Sequence, residues 1–212
     1  MTHTLHRQGN EQNLKHDYVL LAKAANGINE VGAADKLRQF LQMALRHKAV
    51  NMGHSRVGNM YTVGAEEVIA KVTDNCTVTV VFDDLDRVVR FVQEVKDVDL
   101  GMSVVISSLF YSSMECCTKA RLTPHSIEHS LGIWGKKKKL APQKELELTT
   151  MCGHGLISAN LVDSLVQDLK SGRTTADAAS LELAKQCECG IFNPARGAEL
   201  LKAMANLPGK NS

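Results

Sequence analysis

Aromatic residues are scarce in this chain of 212 residues, at 4% with a single tryptophan. A core must therefore be assembled from Val, Leu, Ile, Ala and Met. No run approaches the ~18–20 apolar residues that a membrane-spanning helix requires. The opening stretch, MTHTLHRQGNEQNLKHDY, lacks the apolar segment of a secretory signal. Neither sign of charge dominates, with 25 Lys and Arg against 23 Asp and Glu, so nothing calls for a nucleic-acid or membrane surface. Paired CxxC motifs, phosphate-binding fingerprints and internal repeats are all missing. These absences lead to the expectation of a cytoplasmic protein with no nucleic-acid and no membrane partner. A small-molecule substrate is the expected partner, and a homo-oligomer is compatible with the sequence.

What the chain does have is a globular balance, 44% hydrophobic and 23% charged, and six cysteines. In a reducing compartment thiols point to metal or catalytic use rather than to disulfides. The basic run Lys136 to Lys139 reads as a solvated turn, with an anionic ligand as the other reading.

Along the chain, residues 1–11 read as a loose tail and 12–212 as one domain. Within it, 12–64 reads as a helical hairpin (13–25 and 34–47) followed by a glycine-rich loop, and 65–212 as an α/β part. The β-branched run Cys76 to Phe82 predicts a buried strand, and 84–97, capped by Asp83 or Asp84, a helix. A second strand is expected over 102–110, then a helix over 112–120. Thr123-Pro124 signals another helix start. The segment 145–151 is expected as a strand leading into Cys152-Gly-His-Gly155, with helices at 157–170, 176–186 and from Asn193-Pro194 to about Ala205. The fold class expected is α/β or α+β, a sheet of three or four strands flanked by helices, preceded by the hairpin.

The chemistry concentrates at Cys152-Gly153-His154-Gly155 and Cys187-Glu188-Cys189-Gly190. Loops at element ends present thiolates to a metal without crossing a core. Cys152, Cys187 and Cys189 are expected as metal ligands, with Cys117 (or its neighbour Cys116) as a fourth. An iron–sulfur cluster is the first expectation, since glycine amides approach cluster sulfurs closely. Zinc is the alternative. The function that follows is a metal-dependent enzyme acting on a small anionic metabolite by redox or lyase-type chemistry. His154 is the expected acid/base group, and the 53–64 loop part of the substrate wall. His54, Arg56, Tyr61, Gly153, Gly155 and Arg196 complete the candidate site.

Three rivals stand beside this reading. Cys152 at a helix N-terminus, with His154 or His54 as base, describes a metal-free thiol enzyme. A non-catalytic metal or redox sensor needs the same cysteines. His125-x-x-Glu128-His129, if helical, puts two imidazoles and a carboxylate on one face, as a zinc hydrolase requires.

Overall fold

The computed structural model describes residues 3–207; Met1, Thr2 and 208–212, expected as parts of polar tails, lie outside the described residues. Elements follow in the order α1 (Glu11–Leu14), β1 (Tyr18–Lys23), α2 (Ala33–Arg46), β2 (Asn51–His54), β3 (Gly58–Asn59), α3 (Ala65–Ala70), β4 (Thr77–Phe82), α4 (Leu85–Val98) and β5 (Ser103–Ser107). Then come α5 (Phe110–Lys119), α6 (Gln143–Thr149), α7 (Ala159–Lys170), α8 (Ala176–Lys185) and α9 (Pro194–Ala205). The class is mixed α/β. The sheet has five strands in the order β3-β2-β4-β1-β5, and every neighbouring pair is antiparallel.

The segments β1-α2-β2 and β4-α4-β5 are two interleaved βαβ units. Each steps over a strand of the other, which is the split βαβ arrangement. β4 and β5 therefore run parallel but never touch, because β1 lies between them.

β1 corrects the expected helix over 13–25. Its Tyr-Val-Leu-Leu-Ala run is apolar at every position, which suits a strand covered on both faces. Leu14, Tyr18, Leu21 and Ala25 matched a helical spacing only because almost everything there is apolar. Leu20 and Ala22 face a core shared with α2 and α4, around Phe40, Phe82 and Phe91. Val19 and Leu21 face a second core built with α6, α7, α8 and α9. Each fully buried Val or Leu contributes about 1.5–3 kcal/mol.

α6 replaces the strand expected over 145–151. Glu-Leu-Glu-Leu alternates, but Gln, Lys, Glu and Leu are helix formers, and Pro142 stands at the helix N-terminus. The helix expected after Thr123-Pro124 does not form. His125, Ser126, Ile127 and Ser130 are weak helix formers, no apolar stripe there is buried, and the segment is exposed coil. α4, α5, α7, α8 and α9 fall within two residues of their expected starts and ends. The stretch expected as a loose tail is pinned: Arg7 pairs with Asp17 at 2.6 Å, and the Gln8 amide donates to Thr150 Oγ1.

Candidate thiol and imidazole centre

Two loops on the α6–α9 side of the sheet carry the sulfurs. The first leaves α6 at Thr150 and enters α7 after Ser158, whose hydroxyl caps the Leu161 amide. Gly153 and Gly155 both take left-handed backbone, with φ of +74° and +72°, and the chain folds around His154. The second loop runs from Gln186 to Asn193 and lies flat on β2. A Cβ on Gly53 would fall 2.5 Å from the Cys189 carbonyl carbon and 2.7 Å from the Gly190 nitrogen.

Polar side chains on the sheet hold this loop by its carbonyls. Asn59 Nδ2 donates to Ala184 O at 2.9 Å and to Cys187 O at 2.8 Å. Asn51 Nδ2 donates to Phe192 O at 2.8 Å, and the Thr79 hydroxyl donates to Cys189 O. Asn193 caps α9 through the Arg196 amide and donates to Asp17 Oδ1 at 3.0 Å. None of Asn51, Asn59 or Thr79 stood out in the sequence. The signal was there: polar residues at inward strand positions must find buried partners.

The sulfurs themselves form a series. Cys187 Sγ lies 3.9 Å from Cys189 Sγ, and Cys189 Sγ lies 3.6 Å from His154 Nδ1. Cys152 lies in the same core as both cysteines and interacts with Cys187. Cys152 and Cys187 are fully buried and Cys189 nearly so, whereas His154 is exposed. Backbone amides of His154 and Leu156 donate toward the Cys152 sulfur, that of Phe192 toward Cys187, and that of Ile191 toward Cys189.

The series orders the protons. The interaction with Cys187, with burial behind it, pushes the Cys152 thiol far above its ordinary range. Cys187 is lowered by its interaction with Cys152, but raised by that with Cys189 and by burial, and ends pushed up to about 12. Cys189 is lowered by its interaction with Cys187 and by the Ile191 amide, in spite of burial. Cys189 is thus the most readily deprotonated of the three, and it is the sulfur next to the imidazole. A cavity of about 470 Å³ opens at the imidazole, lined by His154, Gly153, Gly155, Thr149, Thr150, Ile157 and His6; none of the three sulfurs lines it. The contacts are pairwise: among the described residues, no three or more His, Cys, Asp and Glu side chains already converge as a metal-binding group.

The other sequence candidates lie elsewhere. Cys116 and Cys117 sit on α5, where Cys116 belongs to the core on the opposite face of the sheet from Cys152. Cys117 therefore does not join the three sulfurs. His54 is buried on β2 and points, like Met52, into that opposite core; its Nδ1 accepts from the Arg56 amide. It faces away from Cys152. Burial lowers its basicity. Arg56 is exposed in the β2–β3 turn. Tyr61 donates its hydroxyl to Val50 O at 2.7 Å and packs on the second core. Arg196, expected to meet substrate, is buried and paired with Asp17 at 2.9 Å.

The His125-x-x-Glu128-His129 pattern is not helical, so its i and i+4 geometry is lost. His125 contacts Ser126, and the His129 ring lies 5.0 Å from that of Phe110. Compared with protein-family models, with curated proteins and with solved structures, the chain matches none.

Proposed function

We propose that the protein is a metal-dependent enzyme whose centre is one zinc-class ion held by Cys152, Cys187 and Cys189, with His154 beside them. The observation that carries this reading is the burial of three thiols in one core, two of them 3.9 Å apart and the outer one 3.6 Å from an imidazole. Amides aimed at sulfur stabilise thiolate and set its donor strength. Zinc bound by thiolates at about 2.3 Å in a tetrahedron spaces them by about 3.8 Å, close to the 3.9 Å between Cys187 and Cys189. In a four-iron cluster each thiolate sits on its own iron, further apart, so the spacing favours a single ion over a four-iron cluster.

Zinc changes no oxidation state itself and would act as a Lewis acid, which suits the lyase-type part of the reading. The sulfurs hold the ion, and His154 is the member of the set that a dissolved molecule reaches. A small anionic substrate seated in the cavity would meet the amides of Gly153 and Gly155 and the Thr149 and Thr150 hydroxyls. His154 would move the proton.

The burial of all three sulfurs also favours a second reading, a closed metal centre in a non-catalytic sensor. The metal-free thiol enzyme is supported least, since Cys152 is fully buried and its thiol is pushed up.

Anaerobic purification followed by elemental analysis tests the centre. Colourless protein with one zinc per chain, lost in Cys152→Ser, Cys187→Ser and Cys189→Ser, supports it. Brown protein with iron would replace zinc by a cluster, and metal-free protein would overturn both. Cobalt substitution separates the two metal readings. Visible bands that shift on adding acetate or phosphate indicate an open position, whereas unmoved bands indicate a closed centre.

A further inference from the structure

β5 ends at Ser107 and α5 begins at Phe110, so Ser108-Leu109 is a strand-to-helix turn. A groove of about 890 Å³ follows that turn around the edge strand β5, lined from both faces of the strand, by α4, α5 and the coil 122–130, and by Arg7, Leu14 and Asp17 of the N-terminal segment; none of the three sulfurs lines it. Leu109 offers α5 no side-chain cap, which leaves its first-turn amides for another acceptor. Two residues lining the groove each keep a buried polar atom with no hydrogen-bond partner among the described residues: Arg7 Nε and Ser108 Oγ. The Arg7 side chain is only 5% exposed. Buried donors without acceptors are rare and costly, and they mark places where a ligand completes the bonding. Asp17 also lines the groove, but its charge is engaged by Arg7 at 2.6 Å and Arg196 at 2.9 Å.

We infer that this groove binds a small amphiphilic anion, a carboxylate or phosphate head on an apolar body. The head accepts from Arg7 Nε–H, the Ser108 hydroxyl and the first-turn amides of α5. The body lies along Met102, Val104, Ile106 and Leu122, which line the groove with partly buried apolar surface. An apolar trough with a few polar donors in its wall is the usual form of a small-molecule site.

Calorimetric titration of the full chain with hexanoate, hexyl phosphate, hexanol and inorganic phosphate tests this. Hexanoate or hexyl phosphate is expected to bind at least about tenfold more tightly than hexanol or inorganic phosphate, and the better of the two identifies the head. Ser108→Ala, which removes no existing bond, is expected to weaken that binding severalfold, and Ser113→Phe to block it by filling the groove. Arg7→Lys keeps a charge opposite Asp17 while deleting Nε–H, and is expected to weaken it about tenfold. Cys152→Ser is expected to leave it unchanged, which keeps this site's fate separate from that of the sulfur centre. No binding of either amphiphile at millimolar concentration overturns the inference, as does equal binding of hexanol and hexanoate, or affinity unchanged in both Ser108→Ala and Arg7→Lys.

Discussion

Cys189 Sγ stands 3.6 Å from His154 Nδ1, and of the three clustered thiols it is the one lowered toward thiolate. With metal removed by a chelator, alkylation at neutral pH is therefore expected to mark Cys189 before Cys187 and Cys152, read by peptide mass spectrometry. Added zinc is expected to protect all three. Cys152 reacting first would contradict the order of protons along the series.

The contact of Gly53 with the Cys189 loop leaves no space for a methyl group, because the nearest atoms are backbone. Gly53→Ala is expected to cost about 1–3 kcal/mol in urea unfolding, as overpacking does. It should also speed alkylation of Cys187 and Cys189. An unchanged midpoint would mean the loop can lift from β2 freely.

Asp17 lies between two guanidiniums, Arg7 and Arg196, with all three side chains at least nine-tenths buried. Removing one member of a buried pair leaves an uncompensated charge. Asp17→Asn is thus expected to destabilise by about 3–5 kcal/mol, measured by chemical denaturation. A loss under 1 kcal/mol would show Arg196 free to serve a ligand, as the sequence alone suggested.

Alkali should unfold the protein early. Cys116 is pushed up to about 12 by burial, helped by Cys117 and Glu115. A group raised on folding adds stability in full below its unfolded value, near 9, and loses it as pH rises through the folded one. Stability is expected to fall between pH 9 and 12, and Cys116→Ala to flatten part of that fall. An identical slope in the variant would remove Cys116 as a cause.

The acid side tests His54. Burial lowers its imidazole below the ordinary 6.5, so its contribution is present above that value and fades as pH falls through the folded one. The NMR titration midpoint of the ring should lie below 6.5, and His54→Asn should lessen the loss of stability between pH 6.5 and 5. A midpoint at or above 6.5 would place the ring in water.

The sequence disclosed the grouping of sulfurs and imidazole better than the sheet around it. Cys152, His154, Cys187 and Cys189 were legible because turn glycines and helix caps flank them, and such signals act locally. Cys117 misled because spacing along the chain says nothing about which face of a sheet a helix covers. β1 was hidden by its own uniformity, since an apolar run carries no period. The coil after Pro124 was misread for the opposite reason: a good start signal cannot sustain a helix with nothing to bury. Arg196 looked available only because its partner, Asp17, is 179 residues away.

The two cores are completed at different times as the chain is made. α2 and α4 cover one face of the sheet within the first hundred residues, but Val19, Leu21 and Val81 wait for α6 to α9, all beyond Pro142. A growing chain thus carries a bare apolar face through most of its synthesis, a hazard for self-association. Docking of α9 and the closing of the two cysteine loops fall at the same moment, so a chain that gathers its three sulfurs has by then covered its sheet.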